Sequence, residues 1–305
     1  MTRLNKAYFA ALLYALIIGF SFMFVKIALT SASPMDTLAH RFTIAFLAAS
    51  IPLVAKQVRL DINSKDFIAI LPLATLYPAL FFAFQAFGLV YTSSSEAGII
   101  QASVPIFTLV LAAHFLKEHS TKWQKLSTLL SVAGVVYIFV MKGFVPELAN
   151  TKGIILILLS TLSAACYNVL ARNLTRQYSL TVLTYIMAML GMITFNGIAI
   201  IQHVTAHTLA YYFAPFTNRN FFVSTLYLGV LSSLGTSFLS NYALSKMEAS
   251  KMSVFNNLAT LITIFAGVVF LHEKLEYFHV IGAAIIIIGV VGTNFLGKDN
   301  NEDMD

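Results

Sequence analysis

Ten apolar runs constrain this chain more than any motif does. They fall at approximately 7–28, 36–55, 66–89, 95–116, 123–141, 153–171, 179–201, 221–244, 250–271 and 276–296. A helix of about twenty residues, rising 1.5 Å per residue, crosses roughly 30 Å of hydrocarbon. Backbone polar groups in lipid must be satisfied inside each segment, which leaves helices or closed barrels. None of the runs alternates as a barrel strand would, so the expected fold is all-α and integral to a membrane. Charged residues make up only 10% of the chain, far below the quarter usual in soluble domains. Arg3 and Lys6 before the first run, and "TSASP" at 30–34 after it, resemble a cleavable signal. That run is longer than a signal core and belongs to the repeat described below, so it reads as a retained helix.

With ten spans assigned, the Lys and Arg residues of alternate loops divide unevenly. One side takes Arg3, Lys6, Lys56, Arg59, Lys65, Lys117, Lys122, Lys125, Arg172, Arg176, Lys246, Lys251 and Lys298; the other takes Lys142, Lys152, Arg219 and Lys274. Lys26 and Arg41 lie within spans. The positive-inside rule then puts both termini in the cytoplasm of a multi-pass cell-membrane protein. The same placement accounts for the net charge of +6 without nucleic acid as a partner. Cys166, the single cysteine, excludes an internal disulfide.

The second constraint is a repeat. Residues 86–136 align with 241–291 without gaps, at an offset of 155, with nine identities in 51 positions. Seven of the nine are Thr108, Phe115, Leu116, Glu118 and the triplet Gly134, Val135, Val136, which pairs with Gly289, Val290 and Val291. Each half then holds five spans, and an odd number forces the second half to enter from the opposite side. The expected organisation is a first five-helix repeat over 1–145, an inverted second repeat over 150–297, and a disordered acidic tail over 298–305. Inverted halves are the layout of many secondary transporters, with the substrate near the midplane between them. Glu118 and Glu273 each stand where one helix ends and the next begins, so the expected role is charge stabilisation at a helix N-terminus.

Several stretches together resemble the drug/metabolite transporter superfamily, in its EamA type. They are "GFSFMFVK" with Gly19, Phe22 and Lys26, "PMDTLAHRF" with Pro34 and Arg41, and "YTSSSEAGIIQASVPIFTLVLAAHFLKE" at 91–118. "LLSVAGVV" and "IIIIGVVG" close the two repeats. Ile18 stands where that family often carries Trp before the first-helix glycine. The resemblance spans nearly the whole chain. It implies ten helices in two five-helix repeats, and a secondary carrier that often exports amino acids or related metabolites.

Polar side chains at membrane depth are costly and face either a cavity or another helix. The offset pairs Gln101 with Asn256, and Asn257 lies next door; these amides either bracket a polar solute or hydrogen-bond neighbouring helices. Tyr77 lies between Pro72 and Pro78, and Pro105 is expected to kink its helix one turn from Gln101. Tyr167 and Asn168 in the sixth run, Tyr242 in the eighth (beside Asn241), and Ser21 and Phe22 in the first complete the candidate substrate-binding set. Lys26, Arg41 and Glu96 lie near the external boundary, where the two cations either snorkel to headgroups or form an ionic gate with Glu96. His203 and His207 have ligand-like spacing but no neighbour in sequence to complete a metal site, so they read as surface residues. His40 is of the residue type that titrates closest to neutral pH, so protons are a candidate coupling ion.

The runs hold no nucleophile–base pair, no metal motif and no paired carboxylates, so an enzyme is not expected. No filter-like sequence or ring of like charge marks a channel. The remaining reading is a transporter without cofactor, working by alternating access on a small-molecule substrate, with the lipid bilayer as its medium and a homodimer as a candidate assembly. The alternatives are an intramembrane enzyme or a lipid or sugar-carrier flippase.

Overall fold

The computed structural model describes residues 3–55, 63–118, 120–142, 148–270 and 277–295. Among them the helices make ten passes. They are α1 (Arg3–Leu29), α2 (Pro34–Val54), α3 (Ser64–Ala74, Thr75–Leu80 and Phe81–Tyr91), α4 (Ser94–Gln101 and Val104–Phe115), α5 (Lys122–Lys142), α6 (Leu148–Leu174), α7 (Leu180–Thr205), α8 (Arg219–Leu226, Tyr227–Gly235 and Thr236–Lys246), α9 (Ala249–Ser253 and Phe255–Phe270) and α10 (Tyr277–Phe295). Seven of these are long and apolar enough to cross a membrane. Glu273 and the acidic tail lie outside the described residues.

Local chemistry sets several helix starts. Ser33 accepts the Asp36 N–H at 3.1 Å, and Pro34 takes the first turn of α2, where its missing N–H costs nothing. Asn63 and Asp66 form a reciprocal capping box at α3. The outer surface is left to apolar side chains such as Ile51, Val54, Ile68, Val110, Ile201 and Ile288. With backbone groups bonded within the regular helical segments, that surface suits lipid.

Packing follows the inverted repeat. The equivalent pairs α2–α7 and α5–α10 pack on each other, α1 packs on α8 and α9, and α6 packs correspondingly on α3 and α4. The repeated glycines bring α5 and α10 close together. A Cβ at Gly134 would lie 2.9 Å from the Gly282 carbonyl oxygen, and one at Gly289 would lie 2.5 Å from the Ser131 nitrogen. Small residues at these positions let α5 and α10 touch backbone to backbone, the usual basis of helix association in lipid. The repeated glycines Gly134 and Gly289 therefore lie at an interface between the halves.

Four passes are not regular helices. α3 opens into a π segment at Thr75–Leu80 and α8 into one at Tyr227–Gly235. The 155-residue offset carries 75–80 onto 230–235, so the two distortions are equivalent. α4 breaks at Ala102–Ser103, between Gln101 and Pro105, and α9 breaks at Val254. α4 and α9 meet across the half boundary, where the Thr260 hydroxyl donates to the Gly98 carbonyl at 2.8 Å. Distorted helices facing each other between inverted halves are where transporters place a solute.

Candidate functional site

The buried polar cluster nearest the π segments is aromatic. Tyr77, whose backbone leaves the helical region (φ −144°, ψ 111°), stacks on Tyr167 with centroids 4.6 Å apart. The Tyr167 hydroxyl donates to Asn241 Oδ1 at 3.0 Å and lies 3.2 Å from Ser240 Oγ. Tyr14 of α1 stands within electrostatic reach of both rings and donates to Asn256 Oδ1 at 3.1 Å. Residues from α1, α3, α6, α8 and α9 thus converge on one place. The Thr236 and Ser237 hydroxyls stand near the Tyr77 phenol, but none closes a hydrogen bond on it, and the phenol is buried without a partner among the described residues.

Arg41 joins this cluster from α2. Its side chain is only 1% exposed, about 10 Å along α2 from Pro34 at 1.5 Å per residue. Nε donates to Ser233 Oγ at 2.7 Å and Nη2 to Ser232 Oγ at 2.9 Å. The guanidinium lies over the Phe82 ring, 3.9 Å from its centroid, an arrangement of the cation–π kind. Tyr77 and Tyr227 are its other electrostatic neighbours. Snorkelling to headgroups, one of the two sequence expectations for this residue, is excluded by that burial. α2 comes this close to the α8 π segment because Gly229 has no side chain: a Cβ there would lie 2.7 Å from Ile44 Cγ2 and 2.8 Å from the Arg41 carbonyl oxygen.

The candidate residues scatter among different surroundings. Tyr77, Tyr167 and Asn256 come together around Tyr14. Gln101 does not face Asn256; it donates to Ser160 Oγ at 3.2 Å, and Ser160 donates on to the Phe81 carbonyl at 2.9 Å. Asn168 donates to Thr108 at 3.4 Å, joining α6 to α4, and Asn257 bonds Ser131, joining α9 to α5. The Ser21 hydroxyl returns to the Ile18 carbonyl of its own helix at 2.7 Å. Phe22 is core, Tyr242 is half-buried and Lys26 is half-buried near the end of α1. Glu96 lies on the first part of α4, and its side chain falls outside the described residues. Tyr14, Ser232, Ser233 and Ser240 were not singled out from sequence. Extending the 155-residue offset beyond the aligned stretch would have pointed to two of them, since it pairs Ser232 and Ser233 with Tyr77 and Pro78.

Each end of the molecule carries its own contact between the halves. At one end His203 Nε2 donates to Asp36 Oδ1 at 2.9 Å, tying α7 to α2. A surface reading of His203 is therefore wrong: a carboxylate 167 residues away in sequence covers it. Nearby, His40 Nε2 donates to the Tyr212 carbonyl at 2.8 Å, and the Tyr212 hydroxyl donates to Asn196 Oδ1 at 2.6 Å. Burial, and secondarily the Asp36 carboxylate, push the Tyr212 phenol up to about 12, so it remains a neutral donor. At the opposite end Glu118 accepts the Ala249 N–H at 3.0 Å, the Ser250 N–H at 3.4 Å and the Ser250 hydroxyl at 3.0 Å. Glu118 does serve a helix N-terminus, but that of α9 in the other half rather than of the helix that follows it. Arg172 Nη1 donates to the Leu244 carbonyl at 2.6 Å beside this contact.

A groove of about 320 Å³ between α4 and α6 is lined by Leu111, Phe115, Leu116, Cys166, Val169, Leu170 and Asn173. It is apolar apart from Asn173, with Phe115 strongly exposed, and so lacks the polar lining of the tyrosine cluster. Among the described residues no group of His, Cys, Asp and Glu is placed to hold a metal ion.

Comparison with known proteins completes the picture. The EamA-like transporter family model matches residues 5–140 and 151–295. An uncharacterized transporter of Bacillus subtilis (strain 168), YcxC, is 60% identical over 290 residues, covering 95% of this chain and 93% of that protein. An uncharacterized transporter of Archaeoglobus fulgidus is 29% identical over 279 residues, covering 89% of this chain and 92% of the other. A crystal structure with 16% sequence identity superposes with a TM-score of 0.75 over 96% of this chain and 98% of that one; at that identity the likeness concerns the fold.

Proposed function

The chain belongs to the EamA-like transporter family, and we propose that it is a secondary carrier moving a small polar metabolite, an amino acid or a close relative, outward across the cytoplasmic membrane. The observation that carries this reading is the convergence of the equivalent distorted helices α3 and α8, together with the broken helix α9, on a buried tyrosine and amide cluster. Stacked phenols supply flat apolar walls, and Asn241, Asn256 and the serine hydroxyls supply donors and acceptors. A small solute with both polar and apolar parts matches that lining.

The mechanism is alternating access. The contacts between the halves at the two ends are short and polar: Asp36 with His203 at one, Glu118 with the start of α9 at the other. Partly exposed contacts of this kind are each worth only about 1 kcal/mol, so either can open while the packed α5–α10 interface holds. The positive-inside bias favours the Glu118 end, with both termini, on the cytoplasmic side. A rocking motion then presents the tyrosine cluster to one side at a time.

The test is counterflow into proteoliposomes preloaded with single amino acids or small amines, alongside a Gln101→Ala, Asn256→Ala double variant and a pH-gradient arm to read proton coupling. Counterflow above protein-free vesicles is expected from the wild type. Because Gln101 faces Ser160 and Asn256 faces Tyr14, the double variant is expected to retain part of it. Wild-type flux equal to that of empty vesicles for every solute would overturn the reading.

A further inference from the structure

We propose that Arg41 is the anion-binding group of the transport site and that the transported solute carries a carboxylate. This rests on the carrier reading above and narrows it to a substrate class.

The first support is an uncompensated charge. The His203–Asp36 and Lys251–Glu248 ion pairs do not involve Arg41. The other buried cations are placed differently. Lys251 lies 3.8 Å from Glu248, and Arg172 reaches a backbone carbonyl near the Glu118 end. Arg41 is the largest fully buried side chain of the described structure, and its partners are two neutral hydroxyls and an aromatic face. Burying a guanidinium at membrane depth is costly and is tolerated where it faces a cavity or a counter-charge. Holding α2 against α8 would not require a charge, since a neutral donor could bond two serines equally well.

The second support is the set of protons around it. Ser232 and Ser233 accept from the guanidinium, and a hydroxyl that accepts still has its own proton to donate. Among the described residues the Tyr77 phenol closes no hydrogen bond, and it stands within electrostatic reach of Arg41. A carboxylate between them would accept from the guanidinium fork and from these hydroxyls, and charge-assisted bonds of this kind are the strong ones. One cation balances one negative charge, which favours a carboxylate over a phosphate dianion. The phenol faces of Tyr77, Tyr167 and Tyr14 continue from this point to Asn256, giving the remainder of the solute an aromatic wall and an amide at its far end.

The experiment is proteoliposome counterflow with matched probes: amino acids and hydroxy acids, each paired with its amide and with the decarboxylated amine. Wild type, Arg41→Lys and Arg41→Gln are compared, each first passed through gel filtration to establish that it is folded. Acid flux at least tenfold above that of the paired amide and amine, lost in Arg41→Gln and partly kept in Arg41→Lys, is the expected result. Equal flux of acid and amide in the wild type would overturn the anion subsite and leave the carrier standing, and this comparison needs no variant to fold. An Arg41→Gln protein that keeps the wild-type acid preference would also overturn it. No wild-type flux of any probe above protein-free vesicles would overturn the carrier reading and the subsite together.

Discussion

α3 and α8 are the same helix in the two halves, and each opens into a π segment at the same depth. Their chemistry differs completely. In α3 the equivalent positions hold Tyr77 and Pro78, an aromatic ring and a residue without an N–H. In α8 they hold Ser232 and Ser233, and both hydroxyls face Arg41. The repeated backbone shape therefore supplies the opening, while the site within it is asymmetric: an aromatic wall from one half and a polar one from the other. A helix that opens in this way frees a face for function without proline, as α8 shows.

The largest effect is expected from removing the polar wall. Ser232→Ala with Ser233→Ala leaves the guanidinium buried without its two partners, which should cost roughly 3 kcal/mol, since hydrogen bonds to charged groups are each worth about 1.5–3. Thermal unfolding of the purified full chain in detergent reads this, and an unchanged midpoint would mean that Arg41 finds other partners. Next is a pair of glycines in one π segment. Gly229→Ala drives a Cβ against Ile44 and the Arg41 carbonyl and should cost about 1–3 kcal/mol, whereas a Cβ at Gly235 meets nothing nearer than the Val230 carbonyl oxygen at 3.4 Å and should be tolerated. Equal effects at both positions would deny the close α2–α8 contact.

On the aromatic wall the effects should be smaller. Tyr167→Phe loses the bonds to Asn241 and Ser240 and should cost about 1 kcal/mol in the same unfolding assay. Tyr77→Phe should cost little in stability, because it removes a buried hydroxyl that closes no hydrogen bond among the described residues, yet it should slow transport if that hydroxyl meets the solute. Transport at the wild-type rate would confine Tyr77 to packing.

Much of the fold was legible in the sequence because its causes are local. Length and hydropathy mark the passes, and the Gly134 and Gly289 repeat marks the α5–α10 interface. The direction in which a polar side chain points was not legible, because it depends on the rotation of each helix against its neighbours. Gln101 and Asn256 occupy equivalent positions, but one turns to α6 and the other to α1. Arg41 has a stem long enough either to snorkel or to reach inward, and only the close approach of Gly229 to α2 decides the matter. Tyr14 resembles an interfacial tyrosine until α9 brings Asn256 to it. The Asp36–His203 pair and the Glu118 cap on α9 join residues more than 130 positions apart, so helix-end chemistry was readable while the identity of the helix was not.

Alternation between the halves is tested most directly by locking one end. With Cys166→Ser removing the native thiol, Glu118→Cys and Ser250→Cys can be bridged by a short bifunctional thiol reagent and counterflow measured before and after. Alternating access requires that the bridge abolish flux and that its cleavage restore it. Full bridging with flux undiminished would contradict a carrier whose halves must separate at the Glu118 end.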